Sequence, residues 1–217
     1  MHQKRKTISK LWAIQRTGTK YLAVANHNQK TAIPLIVVLR DMLKVVKNKK
    51  ELKGILYEKQ VKVNSKITEE INYPLQLFDS IELVADKKIY RAILKNKKIQ
   101  FEEVNNKEAN TRVYKVLDKK ILSGKKIQIN LDSGRNLLTN EKINPGEFII
   151  MTYDNKIEKI IPLKAGVEVI AIKGKHIGKE GKIEEINKEG ENTLATIITK
   201  NKEELKVNIK NLYVQMN

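Results

Sequence analysis

The sequence predicts an α+β chain, mostly β, that opens with a basic N-terminal arm, and three observations carry this reading. The first forty residues hold eight cations and no Asp or Glu. Apolar residues recur at steps of three and four only between Pro34 and Glu58. Beyond Tyr90, short β-patterned runs alternate with turn dipeptides, and no helix of three turns is evident.

The arm is assigned to residues 1–33. A segment without acids cannot neutralise itself by local ion pairs, so it is expected to be extended or mobile until a polyanion supplies counter-charge. Trp12, Gly18 and Tyr21 are interleaved with its cations. The aromatic pair can stack on unpaired bases, wedge into a groove, or pin the arm to the body.

Residues 34–92 read as two helices packed on a small sheet. Pro34 suits a first helical turn, and Leu35, Val38, Leu39, Met42, Leu43 and Val46 then form one face. A second helix over 49–58 puts Leu52, Ile55 and Leu56 on one side and Lys49, Lys50 and Lys53 on or near the other. The period then switches to two, with Val61 and Val63 alternating with Gln60 and Lys62. Asn64-Ser65 supplies turn chemistry, and a strand follows near 81–84, after Tyr73-Pro74.

The rest divides at turn signals, namely Ser123-Gly124, Ser133-Gly134, Pro145-Gly146, Asp154-Asn155 and Ala165-Gly166. Strands are expected over 90–94, 112–117, 126–131, 147–153, 156–162, 167–172, 181–186 and 193–199, a spacing typical of small barrels or sandwiches. Residues 93–164 are read as a central β domain and 165–217 as a further barrel, small enough to lean on its neighbour.

Charge narrows the function. Lys and Arg number 43 against 25 Asp and Glu, a net charge of +18, whereas solubility alone needs about 2–8 on a small domain. Nucleic acid is the polyanion this field fits. The longest apolar run, around Ile33 to Leu39, falls far short of the roughly twenty residues of a membrane span. No signal-like apolar run follows Lys4, Arg5 and Lys6, so export is not expected. There is no cysteine, hence no disulfide or thiolate metal site, and the setting expected is reducing and cytoplasmic. No cofactor, metal or small-molecule substrate is expected.

Catalytic templates fit poorly. His2, His27 and His176 have no recognisable Ser or carboxylate partner, and the pairs Glu69-Glu70, Glu102-Glu103, Glu184-Glu185 and Glu203-Glu204 sit among lysines like solvated faces. The run from Lys173 to Ile183 places glycines at 174, 178 and 181. It lacks the Gly-x-x-x-x-Gly-Lys-Ser/Thr spacing and the following helix of a nucleotide-phosphate loop. It is either a hairpin turn that needs those dihedrals or a place where a phosphate backbone meets the main chain.

The order of parts resembles the S4e family of archaeal and eukaryotic small-subunit ribosomal proteins. The resemblance is carried by Trp12 with Arg16-Thr17-Gly18-Thr19-Lys20, by the run from Ile33 to Asp41, and by Lys125 to Leu131 leading to Gly134-Arg135-Asn136. The Gly174 to Gly181 turn is similar to a KOW motif, and Asn211-Leu212-Tyr213-Val214 to the family's closing strand. The resemblance spans essentially the whole chain. It implies a non-enzymatic protein of the cytoplasmic ribosome that scaffolds ribosomal RNA beside neighbouring small-subunit proteins. It implies an S4-like RNA-binding module over 34–92 and a KOW, SH3-like barrel over 165–217.

The expected RNA contacts are then Lys4, Arg5, Lys6, Lys10, Trp12, Arg16 and Lys20 of the arm, with Arg40. To these are added Lys50 and Lys53, where the family's module commonly has arginines, then Arg135, and Lys173, Lys175, His176 and Lys179 of the glycine turn. Lys in place of Arg keeps the charge but loses the bidentate fork. Two departures stand out: Lys59-Gln60 where the family often has glycine after the second helix, and Asn64-Ser65 where it has an Asp-Gly turn. The alternatives to this reading are an RNA-modifying enzyme and a transcription-associated KOW factor.

Overall fold

The computed structural model describes residues 2–122, 126–189, 192–199 and 202–215, which form two compact units, 1–110 and 111–217. The expected Ser123-Gly124 turn, and Lys125 of the motif above, lie outside the described residues. Strands predominate, as the sequence predicts.

The first unit begins with a small antiparallel pair, β1 (His2–Lys4) with β2 (Tyr21–Ala23), so the first thirty-three residues do not form an arm set apart. Ile8, Trp12, Leu22, Val24 and Ala25 are buried, and this apolar burial holds the segment to the unit in spite of its charge. The Ile99 N–H donates to the Leu11 carbonyl at 2.7 Å, and Trp12 bridges to Ile99 in parallel fashion.

Next comes β3 (Ile33–Pro34), paired with β6 (Pro74–Leu75). The helix expected from Pro34 is shorter than its apolar periodicity suggests. One α-helical turn, α1 (Leu35–Val37), widens at once, the Leu43 N–H reaching back to the Val38 carbonyl at 2.9 Å, and Lys44 ends it in the left-handed region at φ +57°. The apolar side chains are still buried, because the chain from Leu35 to Leu39 is sealed on every side.

The second helix, α2 (Lys49–Tyr57), is as expected. Asn48 caps it by accepting the Glu51 N–H at 2.9 Å. Leu52 and Leu56 are fully buried while Lys49, Lys50 and Lys53 face out. At its C-terminus the Gln60 N–H bonds to the Ile55 carbonyl and the Lys59 N–H to the Leu56 carbonyl, the paired bonds of a Schellman motif. That motif puts Lys59 at φ +57°.

A five-stranded antiparallel sheet completes the unit, in the order β5-β4-β7-β8-β9. Its strands are β4 (Val61–Val63), β5 (Lys66–Ile67), β7 (Ser80–Leu83), β8 (Lys88–Lys95) and β9 (Lys98–Glu103). Between β4 and β5, Asn64 and Ser65 both adopt positive φ, 51° and 64°. Asn64 pays for this strain through a buried network, donating to Asp79 at 2.9 Å and accepting the Ser80 N–H at 3.0 Å. The expected boundary at 92/93 falls inside β8, which pairs on both edges, so residues 93–103 belong to this sheet. One helical turn, α3 (Asn106–Ala109), closes the unit, with buried Arg91 donating to the Glu108 carbonyl.

The second unit holds two five-stranded antiparallel sheets. The first contains β10 (Thr111–Ile121), β11 (Ile127–Leu131), β12 (Asn136–Thr139), β13 (Phe148–Thr152) and β14 (Ile157–Ile161), in the order β12-β11-β10-β13-β14. It packs around Tyr114, Val116, Ile129, Leu131, Ile143, Ile149 and Met151. The second contains β15 (Glu168–Ala171), β16 (Glu180–Glu189), β17 (Asn192–Thr199), β18 (Glu204–Asn208) and β19 (Leu212–Val214), in the order β18-β17-β16-β15-β19. Gly181 sits in β16 where a Cβ would lie 2.4 Å from the Ile198 carbonyl oxygen and 2.5 Å from Ile197 Cγ2, so two strands meet there at a distance no other residue allows. The first sheet ends at Ile161 and the second begins at Glu168, within one compact unit.

Candidate nucleic-acid interface

In the first unit the folded N-terminal segment builds a basic depression. Its lining includes Arg5, Gln15, Thr17, Gly18, Thr19, Tyr21, Arg40, Asp41 and Lys44. The Arg5 guanidinium donates from Nε to the Thr19 carbonyl at 2.7 Å, from Nη1 to the Gln15 carbonyl at 2.8 Å and from Nη2 to Thr19 Oγ1 at 2.8 Å. Arg5 thus shapes the loop that carries Arg16 and Lys20, both exposed. Tyr21 is 44% exposed, with His2 edge-on to its ring at 4.6 Å and Lys20 Nζ 5.3 Å from its centroid.

Arg40 forms a fork with its neighbour Asp41, at 3.0 and 2.8 Å. That hydrogen bond pushes the guanidinium pKa further up, partial burial working the other way. Arg40 therefore lines the depression as a charge already half-matched. Lys4, Lys6 and Lys10 are exposed on the same unit. Trp12 requires a correction: at 4% exposure its ring is core, so it pins the segment and has no face left for a base. Lys50 and Lys53 lie on the outer side of α2 and, among the described residues, form no ion pair.

In the second unit Arg135 is half-buried, its guanidinium 5.8 Å from the ring centroids of both Tyr114 and Tyr153. Packing between aromatic faces fixes the group and leaves only part of it to solvent. Nearby, burial pushes the Asp132 carboxyl up, against the pull of Arg112.

The glycine turn holds its expected form. Gly174 and Gly178 adopt φ +91° and +78°, and the Gly178 N–H bonds to the Ala171 carbonyl at 2.7 Å. Lys173 and Lys175 project freely while His176 and Lys179 are half-buried. Lys179 Nζ lies 2.5 Å from Glu203 Oε2, and this bond draws the Glu203 carboxyl below the usual range. Lys179 is thus largely spoken for, and Lys173 and Lys175 are the cations this turn offers.

Sequence reasoning missed Lys44, which lines the depression, and Tyr57, which follows Lys53 by one helical turn and is 88% exposed. For Tyr57 the signal was present, since the residue falls off the Leu52 and Leu56 face. Among the described residues no cluster of His, Asp or Glu could hold a metal ion, and no helix is long and apolar enough to cross a membrane.

A family model described as Ribosomal family S4e matches residues 86–160. The small ribosomal subunit protein eS4 of Methanocella arvoryzae is 32% identical over 189 residues, spanning 85% of this chain and 80% of that protein. The protein of the same description from Methanospirillum hungatei is 33% identical over 191 residues, spanning 84% and 78%. The crystal structure of the 30S ribosomal protein S4e from Thermoplasma acidophilum matches with a TM-score of 0.72 at 24% identity, covering 85% of this chain and 94% of that one, a likeness of fold.

Proposed function

The chain belongs to ribosomal family S4e, and on that premise we propose that it is a structural constituent of the small ribosomal subunit that binds ribosomal RNA and scaffolds it for translation. Its role is not enzymatic. The observation that carries RNA binding is the basic depression of the first unit, lined by Arg5, Arg40 and Lys44, on a chain of net charge +18. Affinity arises mostly from phosphate contacts and placement from RNA shape.

The finer layout belongs to the same proposal. The two helices and sheet from residue 34 act as an S4-like module, with β9 extending its sheet past 92. The sheet of 165–217, with its glycine turn, acts as a KOW-type barrel, and 111–164 is the central β domain. Neighbouring small-subunit proteins and the cytoplasmic ribosome complete the setting. What supports this is the antiparallel five-strand order of the last sheet and the exposure of Lys173 and Lys175 at its turn.

Sucrose-gradient sedimentation of a lysate at moderate and at high salt tests the proposal. Stoichiometric presence in the small-subunit peak at both salts is expected. Recovery solely in light fractions, or with RNA polymerase, would overturn it in favour of RNA modification or transcription.

A further inference from the structure

Helix α2 carries a feature that its packing does not explain. At 100° per residue, Lys49, Lys53, Tyr57, Lys50 and Gly54 fall within an arc of about 140°, whose centre lies about 110° round the helix from that of buried Leu52 and Leu56. Tyr57 is 88% exposed, the most exposed large apolar side chain among the described residues, so nearly all of its ring stands in water. Gly54 sits mid-helix, where glycine is the weakest ordinary helix former, and a Cβ there would meet nothing within 4 Å. Core packing therefore does not demand the glycine. Its effect is an open floor between Lys50, one turn before it, and Tyr57, one turn after.

Resting on the RNA-binding reading above, we infer that Tyr57 is a stacking platform for an unpaired RNA base, with Lys50 and Lys53 on the flanking phosphates and Gly54 leaving room for the base to lie flat. The commitment to RNA follows from charge: Lys49, Lys50 and Lys53 share this face of the helix with the ring, and a polyanion with flat bases complements both. An acidic protein segment would satisfy the lysines but offers a flat group only where it happens to carry an aromatic or guanidinium side chain, whereas every nucleotide of a single strand carries one. The α2 surface thereby reads local single-stranded structure, a contact distinct in kind from phosphate binding in the depression.

The test uses the full-length chain and its own small-subunit ribosomal RNA transcribed in vitro, with affinity measured over a range of salt for wild type, Tyr57→Phe, Tyr57→Leu, Tyr57→Ala and Lys53→Gln. Stacking predicts that Tyr57→Ala loses about 10- to 100-fold with an unchanged salt slope. Tyr57→Leu is expected to lose most of that, while Tyr57→Phe stays near wild type. Lys53→Gln flattens the salt slope by about one phosphate contact. With 4-thiouridine in the RNA, near-ultraviolet light is expected to crosslink the peptide that contains Tyr57. Unchanged thermal unfolding of Tyr57→Ala checks that the fold is intact.

If wild type binds and Tyr57→Ala binds equally well, the inference is overturned and RNA binding stands. If that variant binds RNA normally yet is lost from small subunits, Tyr57 faces a protein and the inference is again overturned. Failure of wild type to bind would bring down the RNA-binding reading itself, and this inference with it.

Discussion

Lys115 Nζ lies 2.5 Å from the carbonyl oxygen of Ile209, tying the first sheet of the second unit to the short turn that precedes the last strand of the second sheet. The ammonium also packs 5.3 Å from the ring centroid of Phe148 and 6.0 Å from that of Tyr213. The residue is 7% exposed. A cation set among rings and carbonyls thus clamps two sheets together, and its titration is open to measurement.

Burial pushes the Lys115 pKa down from 10.5 to about 8, against the pull of Asp132. Below pH 8 both folded and unfolded chains carry the proton, and the burial penalty is felt in full. Between about 8 and 10.5 the folded chain has released the proton and the unfolded chain still holds it, so stability from this site rises with pH and is lost again as pH falls through 8. Urea unfolding at pH 7, 8, 9 and 10 is expected to show wild type gaining on Lys115→Met, by up to about 3 kcal/mol. A gap that does not change with pH would contradict the assignment.

Gly181→Ala is expected to be far more damaging than a methyl group suggests. Its Cβ would press against the Ile198 backbone carbonyl, which can move only by parting β16 from β17. A loss of about 2–3 kcal/mol follows from overpacking of this kind, read as a lower urea midpoint. Gly54→Ala provides the contrast and is expected to stabilise by about 1 kcal/mol, since nothing stands in the way.

Lys59→Gly is expected to stabilise the chain by about 1 kcal/mol. Lys59 occupies the left-handed position of the Schellman motif, where a side chain costs roughly 1–2 kcal/mol and glycine gives back part of this through its greater freedom in the unfolded chain. Thermal unfolding reads the effect. RNA affinity in low salt should fall only by the share of one surface cation.

Trp12→Ala is expected to destabilise by about 3–5 kcal/mol, the range for a buried large aromatic. At a temperature where the variant stays folded, its RNA affinity should match wild type. Selective loss of RNA binding with unchanged stability would restore the base-stacking role that burial argues against.

These residues also show where the sequence was readable. Helix α2 was legible because its cap, its apolar face and its cationic face are all local. The strands β8, β10, β13 and β17 were legible because β-branched residues cluster in them. The strand β9 was not, since KIQFEE mixes charge with few apolar positions and gains its place from pairing with β8. The acid-free opening segment looked like a free arm because charge is visible locally, whereas the burial of Ile8, Trp12 and Leu22 depends on surfaces supplied by later parts of the unit. Of the candidate contacts, exposure of Lys50, Lys53, Lys173 and Lys175 could be read from local pattern. Engagement of Arg40 by Asp41 joins sequence neighbours, whereas that of Arg135 by two rings and of Lys179 by Glu203 needs the tertiary fold.

The Arg5 guanidinium, bound to two carbonyls and a hydroxyl of the loop ahead of Tyr21, has a kinetic consequence. The ordering entropy of that loop is spent when the chain folds and is not charged again on association. A segment so preorganised docks at a rate set by electrostatic encounter, with no folding step to wait for. On the proposed RNA-binding reading, such a segment is suited to capture RNA early, while the RNA is still choosing among its own structures.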